Sequence, residues 1–259
     1  MWGVLVINKL FVSWQNTDTR EWVPVGVLVR EHSGGYLFAY TRGVLKARPS
    51  FSFGGMRERG VVYRSDELFP LFSNRLLDRS RPEYAEYVDW LGLTPDAVDP
   101  LQVLSLTEGV RGTDNLELFP CPSISTTGNY ETRFFIRSLS HLPPSIVDRV
   151  NSLHAGDRLY VMHDYQNNVD PSALAIRCDD PAMLVGYCPR YLAKDLLTLS
   201  YAKPSQAEMF VERVNVNAPL HMRLLCKFVS AWSTGFEPCS QDDFRPIPSL
   251  DDCTLCSST

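Results

Sequence analysis

The sequence predicts an α+β protein in two parts: an antiparallel β-meander with helices, followed by a small β-barrel carrying two short helices. Three observations lead there. Runs rich in β-branched residues alternate with turn residues near the start, and from Ser65 onward the hydrophobic period changes to three and four residues. After a stretch containing Pro, Ser and Thr, the second half returns to many short strands at close spacing. Such spacing favours a small barrel over a layered parallel sheet.

In the first part, residues 4–13 (VLVINKLFVS), 23–29 (VPVGVLV) and 36–40, the last after Ser33-Gly34-Gly35, read as strands of the meander. Leu68, Phe69, Phe72, Leu76 and Leu77 recur at helical spacing behind Ser65, a suitable N-cap ahead of Asp66 and Glu67, which predicts an amphipathic helix. A second helix is expected from Pro82 to Leu91, stopped by Gly92, and a third from Asp99 to Leu106, stopped near Gly109. Leu116–Phe119 reads as a strand returning to the meander, and the low hydrophobicity from Pro120 to Gly128 marks a domain boundary.

The second part reads as strand 131–137, helix 144–153, strands 157–163, 173–177 and 183–187, helix 190–199, and strands 208–215 and 221–229. After Trp232 periodicity is lost. The expected organisation is thus a domain over 1–122, a barrel over 129–236 and a C-terminal arm or tail over 237–259.

The composition is that of a globular chain: 259 residues, 44% hydrophobic and 21% charged, with a net charge of −5. That balance excludes a protein whose whole surface is a glove for phosphates. Locally the balance differs, with eleven Lys and Arg against ten Asp and Glu between 129 and 236, and five acids against one base from 237 on. No apolar run reaches membrane-spanning length and Met1–Leu10 lacks the pattern of a signal peptide, so a cytoplasmic protein without membrane contact is expected. The seven cysteines are an odd set scattered through apolar segments, Cys178, Cys188 and Cys226 among them, which predicts reduced thiols and no structural disulfide.

The motifs of catalysis are missing. There is no GxxxxGK[ST], GxGxxG or GxSxG, and Gly34-Gly35 and Gly54-Gly55 suit turns. The five histidines are scattered, with His154 and His163 beside predicted strands in structural positions. Cys253 and Cys256 form a lone CxxC which, even joined by Cys239, lacks a fourth zinc ligand. Asp179-Asp180 and Asp242-Asp243 are neighbours on turns, where solvation is the ordinary role. No catalytic residue, metal or cofactor is expected, and the chain reads as a non-enzyme.

The most distinctive segment is Gly156-Asp157-Arg158-Leu159-Tyr160-Val161, then Gln166-Asn167-Asn168-Val169-Asp170-Pro171-Ser172-Ala173, then Val185-Gly186-Tyr187-Cys188-Pro189-Arg190-Tyr191-Leu192-Ala193. Physically it is a hairpin with a polar corner. Asn and Asp side chains can bond their own backbone and stiffen the loop, and Arg190 and Lys194 fall near a helix start whose N–H groups favour anions. This arrangement resembles the HIRAN domain over residues 130–232, including Arg133-Phe134-Phe135 and Pro219-Leu220-His221-Met222, and the resemblance implies an OB-like β-barrel. It also implies a non-catalytic module that binds DNA, as a single strand or at a 3′ end, with Arg133, Phe134, Asp170, Tyr187, Arg190 and Lys194 as contacts. The sequence departs from the family pattern at Val169 and Val216, where end-binding members place aromatics.

Residues 9–119 are similar to the N-terminal subdomain of HipA-type toxin kinases. The likeness rests on Leu10-Phe11-Val12-Ser13-Trp14, Val25-Gly26-Val27-Leu28, Leu68–Leu77, Asp99–Leu104 and Thr113–Pro120. No kinase core follows. This resemblance implies a regulatory or antitoxin protein with a HipA-like kinase as partner, an alternative to nucleic-acid binding. Trp14 and Trp22 would be the contacts in that reading, whereas Trp14, Trp22 and Trp90 otherwise belong to the core.

Overall fold

The structure is a computed structural model that describes residues 7–47 and 50–250. The chain divides into two compact units, one drawn from Met1–Tyr84, Val98–Cys121 and Cys239–Thr259, the other from Ala85–Ala97 and Pro122–Pro238. The lone CxxC and the first residues of the predicted strand 4–13 lie outside the described residues.

The first unit holds a five-stranded sheet. β1 (Lys9–Gln15), β2 (Trp22–Arg30), β3 (Tyr36–Tyr40), β4 (Tyr63–Ser65) and β5 (Leu116–Pro120) are ordered β4-β3-β2-β1-β5, with every pairing antiparallel. The inner strands are buried on both faces, which is why their sequences run almost continuously apolar. Pro24 stands within β2 without a donor to give, and the ladder accommodates it with a register shift between Val12 and Ser13.

One face of this sheet, with Leu10, Val12, Leu28 and Phe38, packs on Phe72, Leu101 and Leu104. The last two lie on helix α3 (Pro100–Thr107); Phe72 lies on α1 (Pro70–Ser73), and α2 (Tyr84–Trp90) comes between them in the chain. Asp99 caps α3 by accepting from the Leu101 N–H at 2.7 Å, and both its oxygens take hydrogen bonds from Arg30. Trp14 is buried, whereas Trp22 and Trp90 are half-buried.

The opposite face carries Phe11 and Phe119. Phe244 covers both rings, its centroid 4.9 Å from Phe11 and 6.3 Å from Phe119. The Ile247 N–H donates to the Tyr40 carbonyl and the Arg42 N–H to that of Arg245, while Asp242 and Asp243 pair with Arg42 and Lys46. From Cys239 on, the described part of the expected C-terminal arm is therefore a layer of the first unit.

The helix expected from Ser65 is corrected. Ser65 pairs with Tyr36 in the sheet, and only Pro70–Ser73 is helical, because proline is accepted in the first turn but not in a helix interior. The apolar spacing survives without the helix: Phe69 and Phe72 still face the core.

The second unit begins within the helix expected at 82–91. α2 ends where Gly92 adopts φ +63°, and residues 85–97 are tied to this unit by bonds from Asn215 to the Trp90 carbonyl and from Arg213 to Asp89. Its six strands are β6 (Asn129–Phe135), β7 (Arg158–His163), β8 (Leu174–Cys178), β9 (Met183–Tyr187), β10 (Glu208–Val214) and β11 (Leu224–Ala231), ordered β6-β11-β10-β7-β8-β9. Helices α4 (Pro144–Asn151) and α5 (Arg190–Ala202) contribute Val150, Leu192, Leu196 and Leu199 to a core built on Phe134, Leu174, Ile176, Val185, Cys226 and Phe228.

Among the described residues no closed barrel is found where a small β-barrel was expected. The outer strands β6 and β9 have no ladder between them; just beyond β6, Arg137 makes one bridge to Tyr187 of β9, the two exchanging backbone hydrogen bonds of 2.8 and 3.0 Å. Ser138, at φ +67°, then turns the chain into a 3₁₀ turn at Leu139–His141 and ends the pairing. Gly186 permits even this contact: a Cβ there would lie 2.8 Å from the Arg137 carbonyl oxygen.

Candidate nucleic-acid interface

The ten residues between β7 and β8 form a loop whose side chains bond its own backbone. Asn167 Oδ1 accepts from the N–H groups of Val169 and Asp170, both at 3.0 Å, and Asp170 Oδ1 accepts from the Ser172 N–H at 2.9 Å. One more bond closes the loop on itself, Asn167 Nδ2 donating to Asp164 Oδ2 at 3.1 Å, and one links it to β9, the Tyr187 hydroxyl donating to the same oxygen at 3.0 Å.

The second oxygen of Asp170 faces α5. It accepts from Arg190 Nε at 2.8 Å, with 17% of the Asp170 side chain and 43% of the Arg190 side chain exposed. Pro189 fixes the extended backbone just before the helix, so Arg190 stands in its first turn, beside N–H groups that have no partner within the helix. Lys194 follows one turn later and is exposed. Asp170, Arg190 and Tyr187, through Asn167 and Asp164, thus form one connected polar corner.

Within this corner the shared bond acts on both Asp164 and Tyr187. Hydrogen bonds from Asn167, then Tyr187, hold the Asp164 carboxyl below its ordinary range, and burial together with Asp164 raises the Tyr187 phenol. A carboxylate that accepts from a neutral phenol suits both shifts.

Two expected residues lie elsewhere. Phe134 is 1% exposed in the core, opposite Cys226 on β11, and offers no ring face to a ligand. Arg133 points to the other side of β6, where its guanidinium binds both oxygens of Glu212 and the Leu91 carbonyl. Arg137 was not anticipated. It is half-buried beside Tyr187, and burial lowers its pKa while Tyr191 acts in the opposite sense. His221 is lowered by burial and by Arg137 in turn. An arginine four residues beyond Arg133 was the one available signal in the sequence.

No group of three or more His, Cys, Asp or Glu among the described residues is placed to hold a metal, and no helix among them is long and apolar enough to cross a membrane. The five described cysteines are free thiols; burial pushes Cys188 and Cys226 up, so both stay protonated.

The family model of the HIRAN domain matches residues 129–233, which contain the whole polar corner. This region is a HIRAN domain. Among solved structures, a crystal structure of a protein from Lactobacillus plantarum is similar at 14% identity and a TM-score of 0.29, over 40% of this chain and 99% of that one. The crystal structure of the HIRAN domain of human HLTF is similar at 18% identity and a TM-score of 0.30, over 41% of this chain and 83% of that one. A search of curated proteins gave no match. The resemblance of residues 9–119 to the HipA subdomain gains no support from these comparisons.

Proposed function

We propose that the HIRAN domain binds DNA without catalysis, taking the end of a single strand at the corner formed by Asp170, Tyr187 and Arg190. The observation that carries this reading is the Asp170–Arg190 pair, held by a self-bonded loop at the start of a 13-residue helix. Arg190 and the first-turn N–H groups suit a phosphate, and Lys194 adds a second cation. Asp170 supplies discrimination. Its carboxylate accepts from a terminal 3′ hydroxyl and repels a phosphate in the same place, so a free end fits where a continuing backbone does not.

The test is fluorescence anisotropy of single-stranded DNA with a 3′ hydroxyl or a 3′ phosphate, against the full chain and its Arg190→Ala and Asp170→Asn variants. Arg190→Ala is expected to weaken binding by about tenfold or more. Asp170→Asn should narrow the preference for the hydroxyl. With two cations on the backbone, the slope of log affinity against log salt should be about −1.4. Equal affinity of all three proteins for both ends would overturn the assignment.

A further inference from the structure

We propose that Tyr165 and Tyr201 form a stacking platform for the bases of a single strand that leaves the Asp170–Arg190 corner along α5, an inference that rests on the function proposed above. The two tyrosines lie far apart in sequence, yet their hydroxyls meet at 3.2 Å while the residues remain 76% and 65% exposed. Large aromatic rings this exposed contribute little to the core, so their mutual positioning leaves ring surface for a ligand.

The pair is also held in place. The Tyr165 ring lies 3.9 Å, centroid to centroid, from the His163 imidazole, and His163 Nε2 is 2.8 Å from the Pro171 carbonyl oxygen. His163 thereby ties Tyr165, at the start of the loop, to Pro171 beside Asp170 near its end. At about 100° per residue, Arg190, Lys194 and Tyr201 fall on one stripe of α5, and all three are exposed.

The loop touches this stripe at both ends, through Asp170 at Arg190 and through Tyr165 at Tyr201. Arg190 and Tyr201 are separated by about 16 Å along the helix. A strand anchored at the corner would pass Lys194, a cation suited to its phosphates, before reaching the two rings. At about 3.4 Å per stacked nucleotide that distance accommodates on the order of four to five nucleotides. Cations followed by aromatic faces are the general pattern of sequence-tolerant single-strand binding, and this order favours nucleic acid over an apolar peptide.

The experiment measures the affinity of the full chain for oligothymidylates of about three to ten nucleotides, comparing wild type, Tyr165→Ala/Tyr201→Ala, Tyr165→Phe/Tyr201→Phe and Arg190→Ala. Wild-type affinity should climb until about five nucleotides and then level. The double alanine variant should lose that climb and bind the longest oligomers at least about fivefold more weakly, while the double phenylalanine variant, which keeps the rings, retains it. A double alanine variant with an unchanged climb would overturn the platform, provided Arg190→Ala weakens every length; the corner would then stand alone. Uniform weakening by the alanines at every length would also overturn it. Should wild type bind no oligonucleotide, the corner fails and the platform falls with it.

Discussion

Two single positions decide how the second unit behaves. Gly186 has φ +154°, and an added Cβ would sit 2.8 Å from the Arg137 carbonyl oxygen and 3.0 Å from Ile136. Gly186→Ala should therefore destabilise the domain by about 1–3 kcal/mol and speed exchange of the Arg137 and Tyr187 amides, read by urea denaturation and by hydrogen exchange. Unchanged exchange at those two amides would mean that the bridge tolerates a side chain. Asp195, on the same helix as Arg190, is raised to about 6, chiefly by burial. A carboxyl raised in the folded state binds its proton more tightly there than in the unfolded chain, so stability is greatest below about pH 4 and falls as pH rises toward 6. Asp195→Asn removes that penalty, and denaturation midpoints should show a gain of about 1–3 kcal/mol near pH 7.5 that vanishes near pH 4.

At the level of elements, the strands β8 and β9 and helix α5 were legible because their apolar periods are undisturbed and Gly186 and Pro189 punctuate them. The Asx loop was legible too, since Asn167 and Asp170 bond within a few residues of themselves. What sequence reasoning missed involves partners distant in the chain. Arg133 and Phe134 were paired as contacts, but adjacent strand residues point to opposite faces; the inward position buries Phe134, and Glu212 on another strand occupies Arg133. The encounter of Tyr165 with Tyr201 depends on a loop folding against the far end of a helix. The false helix at Ser65 shows the converse: helical spacing of Leu68, Phe69 and Phe72 was real as a core-facing pattern, while Pro70 and the pairing of Ser65 with Tyr36 set the backbone.

For the molecule as a whole, each unit draws on separated stretches of the chain. The first unit depends on Phe244 to keep Phe11 and Phe119 dry, so Phe244→Ala should cost it about 1–3 kcal/mol and raise hydrogen exchange in β1 and β5 while leaving β8 and β9 unaffected. Equal loosening of all four strands would mean that the two units do not respond independently. The place of Phe244 also imposes an order on biosynthesis. A ribosome moving from the N-terminus delivers residues 122–238 before the layer that completes the first unit, so the DNA-binding candidate has all of its own strands while the earlier-made sheet still waits with one aromatic face uncovered. During that interval the nascent chain leaves the Phe11 and Phe119 rings without the cover of Phe244.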